Sequence, residues 1–317
     1  MSTAKQITLI TAPSSLGLRP NEKGLEPTTW QAPDLYLKSG LSQKLQAKVV
    51  KLEHPTYTFD PQFGTKIRNG LVIRAFSLQL AAKVEEALHT GTIPIVLGGD
   101  CSILLGCLLG AKRAGSKGLV HVDGHCDYFH PGNYDVTTRL GTVAGMDLAL
   151  ATGKGELLLT QWDKTDRSLV SEQDAFHIGE RSLEKTESEI EWGDITSSEI
   201  TVITLQKLLE DGLETTATNI CKALHKRNLS QVWLHVDFDI LDQCYLPAVD
   251  SPGSPGLNFG ELESFLLTLL RSGYFVGMDF TIYDPGLDPE RTYVSALMQI
   301  IEKCSLQISH NQTIKTQ

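Results

Sequence analysis

Two apolar runs in this chain stop abruptly at clusters of metal-capable side chains, and that repetition limits the possible folds most sharply. Gly118 to Val122 runs into Asp123, His125 and Asp127, and Gln231 to Val236 runs into Asp237 and Asp239. Side chains at alternate positions of an extended segment share a face, so each run can present its polar groups to one side. Unbroken apolar runs suit strands buried on both faces, and open α/β sheets place their sites beyond the carboxyl ends of such strands. Four carboxylates and one imidazole are a ligand set for hard or borderline divalent cations such as Mn²⁺. The bland alternative is a solvated acidic cluster at strand ends.

The rest of the chain supplies the sheet these runs need. Strand patterns are read at Ile7–Ala12, Lys48–Leu52, Ile93–Leu97, Ala175–Ile178, Glu199–Ile203 and Tyr274–Ile282. Helical spacing runs through Leu71–His89, Ile103–Ala114, Leu205 to Lys226, Phe259–Arg271 and Val294–Lys303. A tight turn, Gly98-Gly99-Asp100-Cys101-Ser102, joins strand to helix ahead of the Gly118 run, which makes a βαβ unit with parallel strands. His54 to Asn69 has no clear period and reads as a long connection of the kind that serves function or oligomer contact. Strands alternate with helices and no linker interrupts them. The expectation is one α/β domain over residues 1–317, a three-layer α/β/α sandwich with a mainly parallel sheet.

Composition narrows the class. The 28 Lys plus Arg stand against 38 Asp plus Glu, a net charge of −10, and no basic run offers phosphates a footing, so a nucleic-acid partner is not expected. The six cysteines are scattered without C-x-x-C spacing and read as reduced thiols. The polar N-terminus lacks a signal peptide's apolar core, and no apolar segment reaches the roughly 18 residues that read as a membrane span. These features point to a cytoplasmic protein without a membrane partner.

Three ordered motifs resemble the ureohydrolase family of arginase, agmatinase and formiminoglutamase: Gly98-Gly99-Asp100-Cys101-Ser102, Asp123-Gly124-His125-Cys126-Asp127, and His235-Val236-Asp237-Phe238-Asp239-Ile240-Leu241-Asp242. The likeness extends from Ile10-Thr11-Ala12-Pro13 to Gly277-Met278-Asp279, nearly the whole chain. It implies a metal centre of one or two ions, usually Mn²⁺, and hydrolysis of an amidine or guanidinium C–N bond by a metal-bridging hydroxide. By motif position, Asp123 and Asp237 would bridge the metals, Asp127 and the residue at 101 would complete one, and His125 with Asp239 the other. Asp100 and Asp242 would orient ligands or the turn. Asp127 would take part in catalysis, and His130 could shuttle protons, as an imidazole titrates near neutrality. The family also implies a homo-oligomer, trimer or hexamer.

The departures lie in the first metal position and the substrate set. Cys101 stands where the family has His: either a thiolate ligand, which would favour Zn²⁺ or Fe²⁺ over Mn²⁺, or a small buried residue in the turn. Ile282 stands where the family has a guanidinium-binding Glu, Ala144-Gly145 replaces His-Gly, Phe129 replaces Asn, and Ser182 replaces an Asp of arginases. An apolar side chain cannot replace a cation's carboxylate partner, so the expected small-molecule substrate is a linear amidine or guanidino compound other than arginine, in a pocket lined by Tyr128, Phe129 and Ile282. His121 and His235 read as hydrogen-bonded core histidines and Cys126 as packing. Glu180 and Arg181 form either an ion pair or a substrate contact. Two rival functions stay open: a fold that has lost catalysis and serves binding or assembly, and a single-metal deacetylase-like amidase with Tyr283 stabilising the oxyanion.

Overall fold

The computed structural model describes residues 4–134, 141–163, 168–181, 191 and 193–311. Its strands are β1 (Ile7–Ala12), β2 (Lys48–Lys51), β3 (Ile93–Gly98), β4 (Gly118–Val122), β5 (Ala175–Ile178), β6 (Thr201–Ile203), β7 (Val232–Asp237) and β8 (Phe275–Thr281). They form one sheet in the order β2-β1-β3-β8-β7-β4-β5-β6, and every pairing is parallel. The expected sheet is therefore parallel throughout.

Burial follows the sequence pattern. Every residue of β1, β3, β4, β5 and β7 is buried, as unbroken apolar runs demand of strands covered on both faces. The two edge strands are short and partly exposed, and the lysines that bracket β2 discourage pairing with another chain. Five long helices cover the faces: α1 (Gly70–His89), α2 (Leu104–Arg113), α3 (Leu213–Lys226), α4 (Phe259–Leu270) and α5 (Val294–Asn311). Helices α1 and α2 bury Phe76, Leu80, Leu105 and Leu109 in one apolar layer. Helices α3, α4 and α5 bury Ile220, Leu262, Phe265 and Leu297 in the other. That is the expected sandwich. Helix α5 continues eight residues beyond the expected end at Lys303, because Cys304, Ser305, Ile308 and Ser309 keep a buried stripe going.

Candidate metal centre

β4 and β7 lie side by side with Val122 opposite Val236, so their outgoing loops meet. The residues that alternation singles out do converge, but not as an extended segment. β4 stops at Val122, and Asp127 sits in the left-handed region at φ 47°. Asp237 is the last residue of β7 and Asp239 lies in a 3-10 turn, Phe238–Ile240. Backbone amides hold the carboxylates: His125 N–H donates to Asp123 Oδ1 (2.6 Å), Asp239 N–H to Asp237 Oδ1 (2.6 Å) and Gly124 N–H to Asp239 Oδ1 (3.1 Å). The last of these ties the β4 loop to the β7 loop.

Asp123 is the hub. It belongs to three groups whose donor atoms lie within 4.8 Å of one another: Asp123, His125 and Asp239; His121, Asp123 and Asp127; and Cys101, Asp123, His235 and Asp237. His125 Nδ1 is 2.8 Å from Asp239 Oδ2. Cys101 donates its thiol proton to Asp237 Oδ2 at 2.7 Å. Burial pushes the carboxyls of Asp123, Asp127 and Asp147 far above the usual range, with further push from neighbouring carboxylates. Asp237 is driven to about 7 by burial and then by Asp239. Asp239 alone falls below its ordinary value, because His125 and Arg181 outweigh its burial. The Cys101 thiol is held protonated by burial and by Asp237.

Two histidines expected in the core, His121 and His235, are buried and hydrogen-bonded as expected but also face the carboxylate cluster. Sheet register explains why. His177, His121, His235 and Asp279 stand opposite one another on β5, β4, β7 and β8, a row of ionisable side chains across the sheet. His121 Nδ1 is 3.0 Å from His177 Nδ1, and its Nε2 is 3.3 Å from Asp147 Oδ1. His235 Nδ1 lies 2.5 Å from Asp279 Oδ2, whose other oxygen accepts from Trp233 Nε1 at 2.5 Å. Burial, reinforced by their histidine neighbours for His121, holds both His121 and His177 neutral, the latter at about 4. Burial also opposes charge on His235, yet Asp279, with Asp147 and Asp237 beyond it, brings it to about 9. Asp147, fully buried in the short helix Asp147–Ala151, went unread in the sequence. Nothing local marks it, because only the fold brings that helix under the β4 loop. Cys126 is buried in the α1–α2 layer, as the packing expectation has it, and its sulfur also lies beside His177 and Glu180.

Other expected site residues divide. His130 has its ring engaged at both nitrogens, Nε2 with Asp194 and Nδ1 with the Gly132 N–H, and it joins no ligand group among the described residues. The three residues of the expected apolar lining are all buried. Tyr128 is fully buried with its hydroxyl on Glu172, Phe129 packs in the α1–α2 layer, and Ile282 packs in the opposite one. Ile282 is also at φ 77°, a strained backbone for a β-branched residue. Ser182 lies outside the described residues. Tyr283 donates its hydroxyl to Asp288 at 2.8 Å, which removes it as an oxyanion donor. Asp100 accepts from Ser14 Oγ and from the amides of Gly17 and Ser102, so it shapes the turn under Cys101. Asp242 accepts from Cys244 N and Ser254 Oγ, and so shapes the following loop. The Arg181 guanidinium is 3.9 Å from Asp239 Oδ1, and both of its terminal nitrogens lack a hydrogen-bond partner.

The donors fit a divalent cation on an observation independent of motif. Three of the converging atoms, Asp123 Oδ2, Asp147 Oδ2 and His235 Nε2, are buried without a hydrogen-bond partner. Buried polar atoms are ordinarily paired, and like carboxylates forced together disfavour their own ionisation. A dication would satisfy both demands.

The "Arginase family" model matches residues 32–306. Arginase of Bacillus caldovelox is 28% identical over 241 residues, covering 76% of this chain and 77% of that one. Arginase of Staphylococcus aureus (strain COL) is 26% identical over 295 residues, 91% of this chain and 93% of its own. A crystal structure of arginase from Bacillus subtilis subsp. subtilis str. 168 superposes with a TM-score of 0.79 at 23% identity, covering 96% of this chain and 98% of that chain.

Proposed function

The chain belongs to the arginase family, and on that footing we propose that it is a metal-dependent hydrolase of a linear amidine or guanidino C–N bond, acting on a substrate other than arginine. The observation that carries this is the buried carboxylate cluster at the carboxyl ends of β4 and β7, with an unpartnered oxygen on Asp123. Asp123, His125, Asp127, Asp237 and Asp239 would hold the metal, Mn²⁺ being the ion such oxygen-rich donors suit. A bound dication supplies Lewis acidity, which makes water a nucleophile at neutral pH and polarises the carbon it attacks. The chain's own residues do the rest. Asp127, held in the left-handed region beside these ligands, would take and return the proton. Asp100 keeps the Cys101 turn in register with Asp237. Small-molecule turnover in a homo-oligomer, a trimer or hexamer, in the cytoplasm completes the proposal.

Exclusion of arginine rests on Ile282. A buried isoleucine, 3% exposed, offers no carboxylate to a guanidinium, and leaving a cation unpaired there is costly. The test is a panel of guanidino, amidino and formimino compounds offered to Mn²⁺-loaded protein. The expected result is turnover of at least one compound, lost in Asp237→Ala, with arginine far behind the best. Arginine at the head of the panel would overturn the substrate assignment, and no turnover by metal-loaded protein would favour the binding or assembly alternative.

A further inference from the structure

The imidazole missing at position 101 is present elsewhere in the same cluster. We propose that His235, on the neighbouring strand, is the imidazole ligand of the metal position that Cys101 faces, joined there by Asp123, Asp237 and Asp147. This rests on the metal-hydrolase reading and specifies which side chains build its centre.

Four observations support it. His235 Nε2 is fully buried and has no hydrogen-bond partner. It belongs to the group of donor atoms within 4.8 Å of one another formed with Cys101, Asp123 and Asp237, and to a second such group with His121 and Asp147. The atoms around it are unpartnered too: Asp123 Oδ2 and Asp147 Oδ2, the latter 3.8 Å from His235 Nε2. Finally, the far side of the ring is fixed. Asp279 Oδ2 accepts Nδ1–H at 2.5 Å while Trp233 occupies its other oxygen. A carboxylate on Nδ1–H fixes that proton, so a metal that displaces the Nε2 proton meets a lone pair of set direction, the usual support of a ligating histidine.

Cys101 is used differently. Its thiol donates to Asp237 Oδ2, and Asp237 Oδ1 already accepts from the Asp239 amide, so both hydrogen bonds orient a carboxylate rather than offer sulfur to a metal. With imidazole and carboxylates as donors and the thiol kept as a hydrogen-bond donor, the position suits Mn²⁺, Fe²⁺ or Co²⁺ more than a soft thiolate site would.

The experiment is Co²⁺ binding to the full chain, read by ions per chain and by the visible and near-ultraviolet spectrum. Wild type is expected to hold two ions without a thiolate-to-cobalt charge-transfer band, and Cys101→Ser to match it. His235→Asn, whose amide can still donate to Asp279 but carries no second ring nitrogen, should fall from two ions to one. Adding Cys101→His to His235→Asn should restore the second. Should wild type hold a single ion, its loss in His235→Asn supports the assignment and its retention overturns it. Retention of two ions with an unchanged spectrum in His235→Asn would overturn it, as would a charge-transfer band that Cys101→Ser abolishes along with an ion. Should His235→Asn fail to fold by circular dichroism, the wild type still decides. Its cobalt-loaded form, labelled with ¹⁵N-histidine, should show a shifted, exchange-protected ring N–H resonance in addition to that of His125, and its absence would count against the proposal. A wild type that binds no divalent ion would instead sink the metal-hydrolase reading itself.

Discussion

Asp123 and Asp237 concentrate the chemistry of single residues, because each carries a carboxyl whose ionisation burial opposes in the metal-free protein. Asp237, at about 7 in the folded chain, is protonated more readily than in an unfolded one, where a carboxyl sits near 3.9. The folded state therefore holds the extra proton, and the metal-free protein loses this stability as pH rises from about 4 through about 7. Chelated Asp237→Asn should melt above chelated wild type at pH 7.5, with the gap closing toward pH 4. An unchanged gap across that range would refute the buried ionisation. With metal present the same variant should lose turnover by more than the ~10–100-fold expected for removing a group that merely supports a ligand. Ile282 sets two residue-level effects against each other. Relieving its left-handed backbone is worth about 1–2 kcal/mol, but deleting a buried Ile side chain forfeits about 2–5 kcal/mol. Ile282→Gly should accordingly be less stable than wild type by roughly 1–3 kcal/mol in urea unfolding.

Among elements, the α1–α2 pair depends on how close two backbones can come. A Cβ at Gly110 would meet Ala81 O at 2.4 Å, and one at Gly106 would meet Ser77 O at 2.9 Å. Gly110→Ala should cost about 1–3 kcal/mol, the range for overpacking a fitted interface, even though alanine favours helix. A rise in stability would mean the helices slide apart without penalty. Helix α4 starts with a reciprocal capping box, in which Asn258 Oδ1 accepts from Glu261 N and Glu261 Oε2 from Asn258 N. Asn258→Ala should lower stability by about 1 kcal/mol and leave metal content unchanged, since α4 buries its residues in the layer away from α1 and α2. The strands were the most legible elements: β1 and β4 run over the expected residues, because a strand covered on both faces declares itself by an unbroken apolar run. Helix ends were less legible, as the extension of α5 shows, because the burial that prolongs it comes from other parts of the chain.

Across the whole molecule, the proposed metal centre would make folding and ion binding share one set of atoms. Its unpaired carboxylates strain the apoprotein, so each saturated metal position at 100-fold its Kd should add about 2.7 kcal/mol of stability. Thermal unfolding with and without EDTA should show the chelated form melting lower, and an identical melting curve would contradict a metal centre. None of the helices among the described residues is long and apolar enough to cross a membrane. By itself, the sequence determined the parallel α/β sandwich and the acidic cluster beyond β4 and β7, since unbroken apolar runs, a glycine turn and short acidic motifs are local and periodic. Only the tertiary structure decided that His235, His121 and Asp147 join it. Their proximity comes from sheet register across β4, β7 and β8 and from a helix delivered under the β4 loop, and neither relation leaves a periodic trace in the chain. The same packing decided that Cys101 meets Asp237, that Tyr283 turns to Asp288, and that His130 is occupied by Asp194, because a side chain's partner is chosen by the elements around it.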